Sequence, residues 1–314
     1  MNSPIFRVIK PGLQTTVQDF GRFGYQQFGV SPAGAMDSYS MQIANILVGN
    51  VREEAVLEVS FTGPSLEALS DMVVSICGGD FSPTVDGQPV QTWRSFLLKK
   101  GQVVSVGQCK QGARTYLAIA GGIDVPTVLG SKSTFLNGCM GGHEGRALKK
   151  NDTLFGFPEI RKPYKSVGSD LIPEHYKQLE VRVILGPHHQ LFTAQSLRQF
   201  LSEEYRISPQ SNRMGYQLNG TRLEHTNGPD IISDPIPLGG IQVPASGQPI
   251  ILMADHQTTG GYTRIATVIS VDISKVARAV PGTVIKFSQV SLEESQRLYV
   301  ERQSLLKRLA LAAK

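Results

Sequence analysis

Thr115-Tyr116-Leu117-Ala118-Ile119-Ala120 is a short, nearly unbroken apolar run that stops at Gly121-Gly122, which reads as a buried strand rather than a helix. The same pattern recurs on either side of it. Ala55-Val56-Leu57-Glu58-Val59 and residues 72–77, 96–98 and 102–106 precede the next long gap, and residues 181–185, 250–253, 265–271 and 283–287 follow. Between these runs, 32 glycines and 18 prolines punctuate the chain. Pairs such as Asp86-Gly87, Lys100-Gly101 and Ser246-Gly247 supply the positive φ that tight reversals need, so the strands are expected to form hairpins of a barrel or sandwich. The fold class this implies is mostly β.

Three helices have usable signals. Tyr39, Ile43 and Leu47 share one face of a segment from about Asp37 to Val48, which Gly49-Asn50 ends. Thr193 is placed to cap a helix bearing Leu197, Phe200 and Leu201. Ser291 with Glu294 makes a capping box, followed by Leu298, Leu305 and Leu309 at helical spacing. At roughly 100–200 residues per domain, 314 residues suggest two domains. The polar, proline-bearing stretch 158–173 is the candidate linker, which gives an N-terminal domain over 1–175, a C-terminal domain over 176–290 and a terminal helix over 291–314. The echo of Asp86-Gly87-Gln88-Pro89-Val90 in Ser246-Gly247-Gln248-Pro249-Ile250 is too short to carry weight.

The net charge of +5 comes from dispersed residues without a long basic run, which does not favour a nucleic-acid partner. No apolar leader or membrane-length run occurs, so a cytoplasmic location is expected. Cys77, Cys109 and Cys139 are odd in number and widely spaced, which points to three buried thiols rather than disulfides or a metal site.

Several familiar chemistries are missing. Gly130-Ser131-Lys132-Ser133-Thr134 looks like half of a phosphate loop but has no glycine directly before the lysine. The glycine-rich residues 138–146 offer backbone N–H groups and Arg146 to an anion, with a plain turn as the alternative. Gly29-Val30-Ser31-Pro32-Ala33-Gly34 misses the serine-hydrolase elbow by one position. His188-His189 lack the spacing for a shared metal, and no Met-Lys dipeptide is present to carry biotin. No metal site is expected.

Three segments combine polar side chains with tight turns. In the first, Asp19 and Arg22 stand among Gly21 and Gly24, and the stretch continues to Asp37. Arg22 offers a fork to a carboxylate or phosphate and Asp19 a base, or the two pair and merely pin a turn. The second is Asp255-His256-Gln257-Thr258-Thr259-Gly260-Gly261-Tyr262, directly after an apolar strand, which suits either a ligand cradle or a self-satisfied turn. The third contains Arg213 in Asn212-Arg213-Met214-Gly215-Tyr216, an anion contact or a surface arginine.

Taken in order, these segments resemble the biotin-dependent carboxyltransferase-like (allophanate hydrolase subunit 2-like) family, which includes the C subunit of 5-oxoprolinase and the KipI antagonist. The matching stretches are residues 11–19 with Gly21-Arg22, Gly34-Ala35-Met36-Asp37, Ala44-Asn45 with Val48-Gly49-Asn50, Tyr116-Leu117-Ala118 with Gly121-Gly122-Ile123, residues 211–216, Ile241-Gln242-Val243-Pro244, and Ala254-Asp255 with residues 257–262. They span about residues 8–290. The resemblance implies tandem cyclophilin-like β-barrel domains with a few helices. It also implies one member of a 5-oxoprolinase complex, joined to a KipI-like B subunit, with an A subunit completing the assembly. Such a complex opens 5-oxoproline to L-glutamate while hydrolysing ATP, with no covalent biotin on this chain.

On that basis Asp19, Arg22, Asp37, Arg213 and Asp255 are the candidate catalytic residues. Gln257, Thr258, Thr259, Gly260, Gly261 and Tyr262 are the candidate ligand-binding residues. Arg22 and Arg213 would neutralise a carboxylate or phosphoryl oxygen, and Asp19 or Asp255 would handle protons. Arg22→Ala is then expected to leave a folded chain in an inactive assembly. Two departures stand out: Ala33 replaces a serine common among relatives, and Lys132 an arginine. His256 falls where relatives vary and is given no role. The rival readings are carboxyl transfer from carboxybiotin to urea or a similar amide, and non-catalytic antagonism of a kinase inhibitor. An amidase role has no glycine- and serine-rich signature to support it.

Overall fold

A computed structural model describes residues 2–161, 163–174 and 177–313. The chain forms two compact units, one of Met1–Phe23, Ala33–His175 and Ser304–Lys314, the other of Gly24–Pro32 and Tyr176–Gln303. The domain boundary expected at 175/176 falls on two residues outside those described.

The first unit is built from two β-sheets. The five-stranded sheet runs in the order Gln14–Gln18, Val56–Ser60, Gln111–Ile119, Met72–Asp80 and Ser95–Leu98. In the seven-stranded sheet Ser3–Lys10 pairs antiparallel with Thr153–Gly156 on one side and with the central strand Ser65–Ala68 on the other. One core joins the two, with Leu57, Val74, Ile76, Leu117 and Ile119 meeting Ile5, Val8, Leu66 and Leu154. The opposite face of the five-stranded sheet carries Val56, Val73, Cys77, Tyr116 and Ala118, and these lie under helix α1 (Ser38–Val48). Burial on both faces explains why residues 115–120 read as continuously apolar instead of alternating. The Asp86-Gly87 reversal behaves as its sequence demands, with φ of 50° and 78° between the paired segments Thr84–Val85 and Gln88–Pro89.

In the second unit seven strands close into a barrel, in the order Gln178–Leu185, Arg264–Val268, Gly240–Gln242, Ile250–Leu252, Gly215–Asn219, Glu204–Ile207 and Val284–Gln289. Phe200, from helix α2 (Ala194–Ser202), stacks on Phe287 with ring centroids 4.5 Å apart, and Tyr205 lies beside both. A separate two-stranded ribbon pairs Asp230–Pro235 with Thr259–Tyr262. The apolar run at 265–271 does not stay extended: its strand ends at Val268 and helix α3 (Ser270–Arg278) begins. Asp272 in the first turn of α3 accepts hydrogen bonds from Arg182 N at 2.9 Å, Arg182 Nε at 2.9 Å and Arg182 Nη2 at 2.7 Å, with Lys275 Nζ at 3.0 Å. These donors fix the helix start against the neighbouring strand.

Burial pushes the Asp272 carboxyl upward, but the Arg182 hydrogen bonds and the Lys275 charge outweigh it and hold the group below its ordinary range. A depressed native value means that the carboxylate contributes stability above the ordinary carboxyl value of about 3.9, and that this is lost as pH falls through the lower native value. Asp272→Asn is therefore expected to lower stability by about 2–3 kcal/mol at neutral pH. The gap from wild type should narrow below about pH 4. Urea midpoints from pH 7 to 3 check this, and a gap that stays constant to pH 3 would contradict it.

Helix α4 (Leu292–Ala312) opens with Ser291 Oγ accepting from Glu294 N at 3.2 Å. Leu306 is its buried side chain and joins the α1 cluster, with Leu309 packed partly beside it. Cys77 is buried, whereas Cys109 is half-buried and Cys139 is exposed, so three buried thiols is not the outcome. Cys139 sits in a turn at φ 49°, between residues that bridge Phe135 to Met140, and a turn leaves its side chain outside the core. No helix among the described residues is long and apolar enough to cross a membrane.

Candidate functional site

The candidate residues of the first unit form two networks. Asp19 follows the strand Gln14–Gln18, and its carboxylate accepts from Ser131 Oγ at 2.6 Å, Ser133 Oγ at 2.5 Å, Gly21 N at 2.7 Å and Lys132 N at 2.6 Å. The half phosphate loop thus wraps a carboxylate of its own chain. Lys132 Nζ reaches Glu54 at 2.7 Å and the Ile123 carbonyl at 3.0 Å. Arg22 is fully buried and donates through Nη2 to the Ser133 carbonyl. Gly141 comes so close that a Cβ there would stand 2.6 Å from Arg22 Nη2. Asp19 and Arg22 therefore both hold residues 131–133, one through side chains and amides, the other through a carbonyl. With four donors on its carboxylate, Asp19 has the geometry of a clamp.

Asp37 belongs to the other network. It caps α1, accepting from Ser40 N at 3.2 Å and Ser40 Oγ at 2.5 Å, while its own N–H donates to Tyr116 Oη at 2.7 Å. Tyr116 in turn donates to Glu58 at 2.9 Å, and Met36 N donates to the same oxygen at 2.8 Å. Burial, then the Glu58 and Asp37 charges, push the Tyr116 phenol well up, so it stays protonated and serves as a donor. Arg146, the proposed anion contact of residues 138–146, is engaged by Asp152 at 2.7 Å and by Glu144.

In the second unit the strand Ile250–Leu252 delivers a turn in which most backbone groups are tied. Asp255 N donates to the Arg213 carbonyl at 2.9 Å, and His256 N to the Met253 carbonyl at 3.0 Å. The side chains of Arg213 and Asp255 pair as a fork, Nε to Oδ2 and Nη2 to Oδ1, both at 2.9 Å, with each residue 5% exposed. Ser31 Oγ donates to the Ala254 carbonyl at 3.3 Å. His256 is buried, with Nδ1 2.6 Å from the Gln257 carbonyl. A carbonyl only accepts, so Nδ1 carries the proton and Nε2 the lone pair of the neutral ring. Burial lowers the pKa of His256 and keeps it neutral at physiological pH.

Gln257 is exposed, and its Nε2 approaches Gln242 Oε1 at 3.4 Å. Gln242 Nε2 donates to the Tyr262 carbonyl at 3.3 Å. Thr258 is buried, and its carbonyl accepts from Ile236 N at 3.0 Å. Thr259, Gly260, Gly261 and Tyr262 form the ribbon strand. Asp255, Gln257 and Tyr262 thus lie along one turn and strand, with Arg213 bonded to Asp255 and with Gln242 linking Gln257 to the Tyr262 carbonyl. The sequence reading missed Ser131 and Ser133 as partners of Asp19, and Gln242 as the partner of Gln257. Their only signal was membership of motifs far away in the chain. Among the described residues no group of three or more His, Cys, Asp or Glu is arranged to hold a metal ion.

The family model described as carboxyltransferase domain, subdomain A and B, matches residues 28–289. A protein of Escherichia coli, named as the C subunit of 5-oxoprolinase, is 39% identical over 306 residues, covering 98% of each chain. A Haemophilus influenzae protein of the same name is 37% identical over 287 residues and 91% of each chain. The crystal structure of the K. lactis urea amidolyase superposes with a TM-score of 0.92 at 32% identity, over 97% of this chain. This chain spans 20% of that longer protein.

Proposed function

This chain belongs to the family of the carboxyltransferase domain, subdomain A and B, and from that premise we propose that it is the C subunit of an ATP-dependent 5-oxoprolinase. The observation that carries the reading is the match to a protein of that name over 98% of both chains. In this reading the chain works in a complex with a KipI-like B subunit, which an A subunit completes. A lactam carbonyl is a poor electrophile. Transfer of the ATP γ-phosphoryl group to the lactam oxygen would turn that oxygen into a leaving group. Water then adds at the carbon and the C–N bond opens with a proton delivered to nitrogen, which leaves γ-glutamyl phosphate; a second water cleaves this acyl phosphate, so that L-glutamate, phosphate and ADP result.

The stretch with phosphate-loop character is filled by the Asp19 carboxylate, so we assign the nucleotide to the complex and not to this loop. The polar turn at 255–262 is our candidate for the amide site. It is tied by hydrogen bonds, and its Gln257 carboxamide offers a neutral donor and acceptor, which suit an uncharged amide better than a phosphate.

The test is ADP and glutamate release by the chain purified with its A and B partners, with and without 5-oxoproline, and again without this chain. Joint release of ADP and glutamate only from the full mixture is expected. A stable complex with the B partner but no turnover would replace this reading with non-catalytic antagonism. The similarity to urea amidolyase makes urea with carboxybiotin the next substrate pair to try.

A further inference from the structure

Gln242, at the end of the barrel strand Gly240–Gln242, is 3% exposed, and its carboxamide orientation is set by chemistry. The Tyr262 carbonyl can only accept, so the Gln242 nitrogen faces it and the oxygen faces Gln257. Gln257 must then turn its nitrogen toward Gln242. Gly260 makes room for this arrangement, since a Cβ there would stand 2.8 Å from Gln242 Nε2. The backbone beneath Gln257 is held as well, by the His256 Nδ1–H bond to the Gln257 carbonyl and by the Arg213–Asp255 fork at the start of the same turn. The outcome is an exposed carboxamide on a held turn, with one N–H turned toward Gln242 and with Oε1 in no hydrogen bond to the described residues.

We infer that Gln242 and Gln257 form a carboxamide relay that reads a cis-amide edge, in which C=O and N–H lie side by side on the ligand. In this pairing the remaining Gln257 N–H donates to the ligand carbonyl and Gln257 Oε1 accepts the ligand N–H. Gln257 touches the ligand, and Gln242 is a positioning residue. A five-membered lactam is locked in the cis form by its ring, and urea presents the same edge. A trans amide, such as a peptide bond, puts the two groups on opposite sides and meets only one half of Gln257. The relay rests on the oxoprolinase reading for its substrate and adds to it the group that is recognised.

The experiment compares 5-oxoproline with its lactone analogue, in which oxygen replaces the ring N–H, as substrates of the full three-component complex. Wild type should favour the lactam in kcat/KM by about 10- to 100-fold, since the lactone leaves Gln257 Oε1 facing a lone pair. In Gln257→Met the KM for 5-oxoproline should rise by about 10- to 100-fold with a smaller change in kcat, and the preference for lactam over lactone should collapse. Gln242→Met should shift both quantities in the same direction by about 10-fold, which loss of packing alone would not do to the preference. Gln257 is exposed, so its variant keeps the test open if Gln242→Met fails to fold. If wild type turns over 5-oxoproline but Gln257→Met keeps its KM and its preference within twofold, the relay is overturned and the oxoprolinase reading survives. If wild type releases no ADP with 5-oxoproline, the oxoprolinase reading falls and takes this substrate assignment with it.

Discussion

Arg213→Met should lower the unfolding free energy by about 3–5 kcal/mol, and Asp255→Leu by a similar amount, whereas the double variant should lose much less than their sum. Each residue is 5% exposed, and the two share a fork of two 2.9 Å hydrogen bonds. Removing either partner leaves a charge in a place that water hardly reaches, and that penalty exceeds the net worth of the pair. Removing both leaves no stranded charge. The double-mutant cycle, read from urea midpoints at matched slope, should give a coupling of at least about 2 kcal/mol. A coupling under about 0.5 kcal/mol would mean that the fork adds nothing to the turn.

This expectation also sharpens the site. The sequence suggested Arg213 as an anion contact and Asp255 as a proton carrier, acting separately. In the structure the two groups pair as a fork, and that fork holds the turn from which Gln257 projects. Catalytic loss in either variant should therefore accompany a looser turn, in line with the demand that a recognition group sit on a rigid base.

What could be read from the sequence was what short-range chemistry dictates. Asp37 and Gly49 bracket α1, Thr193 caps α2, and Asp86-Gly87 makes its reversal, because each signal lies within a few residues of its effect. The polar turn at 255–262 was legible for the same reason. Helix α3 was not. Ile265-Ala266-Thr267-Val268-Ile269-Ser270-Val271 is rich in β-branched residues, and the switch to helix at Ser270 depends on Arg182, which is distant in sequence and holds Asp272. In α4 the leucine spacing indicated a helix but not its facing. Leu306 and not Leu305 is the buried one, since the packing partner and not the helix sets that choice. The donors to Asp19 from residues 131–133 lie 112–114 residues away, and the partners of Gln242 lie 15–20 residues from it. No local pattern carries such pairings.

The same distance effect changes what Arg22→Ala should do. From sequence the variant is a folded chain that fails in catalysis. In the structure Arg22 is fully buried, and its guanidinium meets the Ser133 carbonyl. Truncation to alanine empties a large volume and strips that carbonyl of a charged donor, so a loss of about 3–5 kcal/mol is expected. Arg22→Lys keeps the charge but not the planar fork, and should fall between wild type and alanine. Since residues 131–133 are held by Arg22 together with Asp19, the damage should spread to that loop, and its amides should exchange with solvent faster in the alanine variant. Urea midpoints together with hydrogen exchange at residues 131–133 would measure both effects. An alanine variant of wild-type stability and unchanged loop protection, in a complex that no longer turns over, would instead return Arg22 to direct contact with the substrate.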